Sequence, residues 1–260
     1  MKRMLGIAAL ATMAAAMPAN AAQVGINFTG SSPTSGTDGN AKTFVGAANG
    51  TTVRVRATGW SLEGNTLRDS YLGAFGGGLG VTSGDENGSG NTHVIDNQNR
   101  RDFVILQFDQ AVQLTAATFN GFAFGGTTDT DASIYWGSSN VAWNAGLGFN
   151  NQASSALGAL LNGSAISAGG SGGTRNLNLA NTATGNLWLV GAAFMNPDAK
   201  IDGFKLGGLT VKTVSPVPEP SSWALMLAGF GLVAVAMRRA IRTSEQRFTD
   251  KVRRMATSGI

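Results

Sequence analysis

The sequence predicts an all-β fold, an antiparallel β-sandwich of jelly-roll type. Three observations carry the prediction. Glycine supplies 37 of 260 residues, about twice the usual share, and Asn, Ser and Thr fill the same gaps between apolar runs. Apolar residues alternate with polar ones at period two in one short segment after another. Only one short stretch before residue 215 carries helical spacing.

The elements follow in order. Val24, Ile26 and Phe28 alternate with Gly25 and Asn27, which predicts a half-buried strand. Residues 31–42 are rich in Ser, Thr, Gly and Asp and predict a loop. Val53, Val55 and Ala57 alternate with Arg54, Arg56 and Thr58, giving a strand with its arginines on the wet side. Residues 71–75 predict a short strand that ends at Gly76-Gly77-Gly78, and residues 79–81 start another. Residues 102–109 read D-F-V-I-L-Q-F-D, apolar on both faces at the centre, as a strand inside a sheet requires. Residues 112–119 are its expected hairpin partner across Asp109-Gln110-Ala111. Residues 133–136 and 141–143 flank Gly137-Ser138-Ser139-Asn140, a second hairpin signal. Residues 153–161 predict the single helix, with Ala156, Leu157, Leu160 and Leu161 on one side. A glycine loop at 169–173 and strands at 177–179, 187–194 and 201–214 complete the set. Short strands joined by Gly/Asn/Ser turns, almost without helix, point to the sandwich. No internal repeat stands out.

The ends read differently. Lys2 and Arg3 precede an apolar stretch at 4–17, and Ala19-Asn20-Ala21 supplies small residues for a signal peptidase. Residues 1–21 therefore predict a secretory signal peptide, with the mature chain starting near Ala22 or Gln23. The formal charge of +4 is concentrated at the ends, because residues 22–216 hold ten basic and twelve acidic groups. Without a clustered basic face, no nucleic-acid partner is expected for the domain at 22–215. The chain has no cysteine, which excludes disulfides and thiolate metal sites.

Near the other end, Pro218-Glu219-Pro220 fixes an extended, exposed strip, since proline locks φ and lacks a donor. Ser221 or Ser222 would cap a helix that continues through Trp223-Ala224 and an apolar run at 225–237 to Arg238 and Arg239. The run from Trp223 to Met237 is short against the roughly 20 residues that cross a hydrocarbon core. It predicts a transmembrane helix assisted by snorkelling arginines or local thinning of the bilayer. Arg238, Arg239 and Arg242 would place the following residues in the cytoplasm. A plain stop-transfer anchor behind a proline stalk is the competing reading. Beyond it, residues 243–260 form a basic tail with Ile241, Phe248, Val252 and Met255 on one helical side, which suits either the inner leaflet or a simple polar tail.

The order Pro-Glu-Pro, Trp-Ala, apolar run and arginine pair resembles the PEP-CTERM sorting signal of Gram-negative bacteria, over residues 216–242. The resemblance implies processing by an exosortase near the Pro-Glu-Pro. It also implies delivery from an inner-membrane-anchored precursor to the cell surface or extracellular matrix. Gly78-Leu79-Gly80-Val81, His93, Asp96-Asn97, Asp102-Phe103-Val104 and Phe108-Asp109 are similar to the signature of a family of exosortase-dependent surface proteins. That second resemblance implies no chemistry.

Residues 85–96 place Asp85, Asn87 and Ser89 at positions 1, 3 and 5 of a loop, Gly90 at 6, Asn91 at 7 and Asp96 at 12. Such spacing suits a calcium loop closed by side-chain oxygens and one backbone carbonyl. Thr92 stands where an aliphatic residue is usual, so a solvated loop is the alternative. Asp129-Thr130-Asp131-Ala132-Ser133 is a weaker copy, with Ile134 in place of glycine. His93 is the single histidine, and without a Gly-x-Ser-x-Gly elbow it predicts a structural role in a turn. Glu63, Asp69, Asp85, Glu86, Asp96 and Asp102 could supply a hydrolase pair only if the fold brought two together. No enzyme is expected. Trp136 and Trp143, beside a Gly/Ser turn, are the candidates for stacking on sugar rings, while Trp60 and Trp188 read as core. The expected function is a structural or adhesive part of the surface or exopolysaccharide matrix. A carbohydrate-binding module, with or without calcium ordering, and a polysaccharide hydrolase are the alternatives.

Overall fold

Period-two alternation becomes strand wherever one of its faces is apolar. In β1 (Gln23–Asn27), Val24 and Ile26 are buried between exposed neighbours. The computed structural model describes residues 21–90, 92–167, 172–179, 183–196, 198–214 and 220–257. The first twenty residues of the expected signal peptide, Pro218 and Glu219 lie outside them. The described residues form two compact units, 21–214 and a second within 215–260.

After β1 come β2 (Ala41–Ala48), β3 (Thr51–Glu63), β4 (Thr66–Phe75), β5 (Gly78–Thr82), β6 (Ile95–Asp96) and β7 (Arg101–Gly121). The short pair β8 (Ala123–Phe124) and β9 (Thr127–Thr128) forms a ribbon of its own. Then follow β10 (Ala132–Gly137), α1 (Ser154–Gly158), β11 (Leu161–Ser167), β12 (Thr174–Asn178), β13 (Gly185–Ala192) and β14 (Gly203–Thr213).

Five strands close a ring in the order β14, β5, β4, β3, β7 and back to β14, every pair antiparallel. The ring closes because three long strands change partners midway. One edge of β7 pairs first with β3 (Arg101 to Phe108) and then with β14 (Val112 to Gly121); its other edge takes β13 and then β12. Register shifts in β14 at Leu206/Gly208 and Thr210/Val211 bend the ladder at that seam. β1, β2, β10 and β11 extend the sheet beyond the ring. The all-β antiparallel class therefore holds, whereas a closed five-stranded barrel with added strands is not clearly a jelly roll.

The hairpin expected at Asp109-Gln110-Ala111 does not form; the chain runs straight through as β7. The polar residues there tie the strand sideways to the start of β3: the Arg54 N–H donates to Asp109 Oδ1 at 3.0 Å, and Gln110 Nε2 donates to the Thr52 carbonyl at 3.0 Å. The hairpin expected across 137–140 is also replaced. Residues 141–143 are not strand, and β10 lies between β11 and β13. Asn186 clasps the Ser139 backbone through both amide atoms, each at 2.8 Å, and turns 138–152 out as a loop. Strands β2 and β11 occupy segments that show no strong alternation. Helix α1 is shorter than expected, because Leu161 already belongs to β11.

Alternation along β7 and β13 feeds two cores. Val104, Leu106, Phe108, Trp188 and Val190 enter the larger one with Phe28, Phe119 and Phe204. Phe103, Ile105, Leu187 and Leu189 enter a smaller one with Trp60, Phe149 and Leu157. Burying a Leu, Val or Phe contributes about 1.5–3 kcal/mol each.

The second unit contains α2 (Pro220–Thr257). The expected transmembrane helix is not borne out over the described residues, where no helix is long and apolar enough to cross a membrane. The apolar run 225–237 rises ~20 Å before Arg238 and Arg239, against a hydrocarbon core of about 30 Å.

Candidate functional site

The loop leaving β5 returns to the barrel as β6, whose two residues pair with Gly203 and Phe204 of β14. This pairing carries Asp96 inward to 1 % exposure beside Asp102, the second residue of β7, also at 1 %. Glu86, on the loop, completes a cluster in which one oxygen from each carboxylate lies within 4.8 Å of the others. The hydrogen bonding is uneven. Glu86 Oε2 accepts from the Ser83 N–H at 2.8 Å and the Ser83 hydroxyl at 3.1 Å, and Asp96 Oδ1 accepts from the Gln98 N–H at 2.8 Å. Asp96 Oδ2 and both oxygens of Asp102 are buried without a hydrogen-bond partner. Burial, then the Glu86 charge, pushes Asp96 up to about 8. Burial, then Asp96, pushes Asp102 well above the ordinary carboxylate range, and burial also raises Glu86.

The calcium loop expected from spacing does not assemble. Asp85 Oδ1 turns to the Ser83 hydroxyl at 2.8 Å and Arg100 Nε at 3.3 Å. Asn87 Oδ1 is taken by the Ser89 N–H at 2.9 Å and hydroxyl at 2.6 Å, a closed local turn. Asn91 lies outside the described residues. Among the described residues of that set, Asp96 alone is a member of the cluster, and Asp85 acts on it through its charge. The 85–96 spacing left out Glu86 and Asp102, which the sequence offered only among six candidate hydrolase carboxylates; the fold brings these two and Asp96 together through the β6 pairing and the loop before it, and the hint was an acid set against a buried apolar run in both Val94-Ile95-Asp96 and Asp102-Phe103.

A second cluster, Asp129, Asp131 and Asp202, is likewise buried with oxygens within 4.8 Å. Its charges have partners. Asp129 accepts from the Thr130 N–H at 2.8 Å and faces Lys200 at 3.5 Å; Asp202 accepts from the Asp131 N–H at 3.1 Å and from Asn97 Nδ2 at 2.6 Å. Arg175 donates to the Thr130 carbonyl, and the three aspartates hold its proton more tightly against the effect of its burial. Burial, then Asp131 and Asp129, moves Asp202 up to about 7.

His93 stands edge-on to Phe75 at 4.8 Å and bonds to the Gly88 backbone, in keeping with a turn-bound histidine. Glu63 is engaged on the surface by Arg68 at 2.8 Å and Arg100 at 3.0 Å. Trp136 leans on Trp188 with ring centroids 5.8 Å apart, and a Cβ at Gly163 would lie 2.3 Å from its indole. It is core-packed on two sides. Trp143 sits half-buried in the loop after β10. Among the described residues no ring contact joins the two, so they do not form one platform.

In the C-terminal unit, α2 begins at Pro220, one residue ahead of the expected serine cap. Proline suits this first position because its missing N–H has no helical partner there. Trp223 and Ala224 fall within the helix, and Arg238 and Arg239 stand exposed on it. The order of Pro-Glu-Pro, apolar run and arginines is decisive when compared with known families. Residues 216–240 match the PEP-CTERM protein-sorting motif. The PEP-CTERM motif indicates a protein sorted to the surface by an exosortase from a membrane-anchored precursor. No curated protein and no solved structure matches the chain.

Proposed function

We propose that the barrel domain is the cargo of this sorting signal and serves as a structural or adhesive component of the cell surface or exopolysaccharide matrix. The observation that carries the reading is the PEP-CTERM match at 216–240, which follows within a few residues of Thr213, the end of the last barrel strand. A signal peptidase would remove residues 1–21 and the exosortase would act near Pro218-Glu219-Pro220. The likeness of residues 78–109 to exosortase-dependent surface proteins supports the same assignment.

The test is the mass and location of the mature protein in a Gram-negative host with and without its exosortase. The expected product lacks both ends and is recovered from envelope or medium. Deletion of 218–239 or loss of the exosortase should leave the protein in the cell. An intact chain inside the cell, indifferent to both changes, would refute the assignment.

Carbohydrate binding is the second reading, favoured by the partly exposed indole of Trp143 on the loop after β10. Cosedimentation of the purified chain with matrix exopolysaccharide should fall with Trp143→Ala and persist with Trp136→Ala. Equal retention by both variants would remove Trp143 from that role.

A further inference from the structure

The geometry points to a calcium site built from Glu86, Asp96 and Asp102, clamping the loop between β5 and β7 onto the barrel. Ionised carboxylates removed from water cost several kcal/mol each unless a counter-charge or donors replace the lost solvent. Asp102 has no donor: both its oxygens are buried and unpartnered, one of them joins the three-oxygen cluster, and the charge of Arg100 is the smallest of the influences on it. Asp96 Oδ2 is a third buried, unpartnered oxygen.

Arg100 reaches Glu86 and Asp102 only by its field, because its guanidinium is bonded to other carboxylates. Arg100 is held by Asp85 at 3.3 Å and Glu63 at 3.0 Å. The comparison within the molecule is direct. The cluster of Asp129, Asp131 and Asp202 has Lys200, Arg175 and three N–H donors around it. Among the described residues the Glu86 cluster has Ser83 as donor to Glu86 Oε2 and Gln98 as donor to Asp96 Oδ1, and none to Asp102.

The ligand chemistry selects the ion. Calcium takes hard carboxylate oxygens at about 2.4 Å in a flexible shell, and three oxygens within 4.8 Å of one another can close on it with inward movement. Magnesium demands about 2.1 Å and keeps several waters, which suits this buried triad less well. Backbone carbonyls of the loop and water would complete the usual six to eight ligands. The three residues lie close in sequence but on separate segments, so one ion would add a fastening at the middle of a loop held so far by the two-residue β6, the Asp85–Arg100 pair and the Asn97–Asp202 bond.

The test uses the full-length chain, purified in detergent and stripped with a chelator, then titrated with calcium by calorimetry and followed by thermal melting. One ion should bind per chain. At ten times the Kd, Tm should rise by about 3–6 °C, from mass action on a domain of this size. Glu86→Gln and Asp102→Asn should weaken binding at least tenfold and remove the shift. Asp85→Ala should leave both within twofold, which separates this triad from a site built on the 85–96 spacing. Glu86 is half-buried on the loop, so its variant remains informative if Asp102→Asn does not fold. Absence of binding and of any Tm shift in the stripped wild-type chain would overturn the assignment. So would loss of binding in Asp85→Ala with retention in Glu86→Gln.

Discussion

Phe204→Ala tests the closure of the barrel. Phe204 is fully buried on β14, flanked in register by Ile95 of β6 and Gly121 of β7, and its ring meets Phe119 at 4.6 Å. Truncation removes a ring from the larger core and leaves a cavity whose walls, strands paired on both sides, collapse poorly. Losses for such changes run about 3–5 kcal/mol, and the upper half of that range applies where the backbone is held this way. For a domain of 150–250 residues each kcal/mol moves Tm by roughly 2–4 °C, so a drop of about 8–20 °C is expected. Urea denaturation of the same variant should move the midpoint with little change in slope. A double-mutant cycle of Phe204→Leu with Phe119→Leu should return about 0.5–1.5 kcal/mol for the ring contact. A loss under about 1 kcal/mol for Phe204→Ala would mean that β14 does not close against β7 and β6 as described.

Lys205 is buried with its ammonium 3.9 Å from the Phe122 ring and 4.9 Å from Phe75, and burial moves its pKa down to about 8. The unfolded chain therefore binds more protons between about 8 and 10.4, so stability should rise with pH across that window. Urea midpoints at pH 8, 9 and 10 should climb in the wild type and flatten in Lys205→Met; equal slopes would contradict the placement. On the acid side the sign reverses. Asp202, raised to about 7, binds its proton more tightly in the folded state, so its contribution is present below about 4 and is lost as pH rises towards 7. Trp136→Ala should cost roughly 2 kcal/mol in chemical denaturation, since one side rests on Trp188 and another on Gly163. Trp143→Ala should stay within about 0.5 kcal/mol, and equal costs would place both rings in the same environment.

Strand existence was legible in the sequence where one face is apolar, as in β1 and in the start of β3, and where both faces are, as in the first half of β7. Strand partnership was not. Asp109-Gln110-Ala111 carries turn-like polarity, yet its side chains serve as lateral ties to β3, a use that only the three-dimensional register reveals. Polar edge strands such as β11, with alternate positions only half-buried, give too weak a hydrophobic period to stand out. The sorting segment was the most legible part because its recognition is linear: an enzyme reads consecutive residues, and no folding is needed to assemble them. The acidic cluster lies at the other extreme. Its members are set by which residues of β6 and β7 meet, so the loop spacing suggested Asp85 and Asn87 while the fold selected Glu86 and Asp102.

The first and last strands of the barrel domain lie side by side, with the Thr213 N–H donating to the Ala22 carbonyl at 2.9 Å and the Ala22 N–H donating to the Thr213 hydroxyl at 3.0 Å. A load applied at Thr213 reaches β14 first, and β14 has rungs to β7 along one edge and to β1 along the other. When the domain is gripped elsewhere on its surface, those rungs are strained together in shear, which spreads the force over two ladders before either gives way. Strand β1, paired along β14, acts as a splint on the strand that carries the pull.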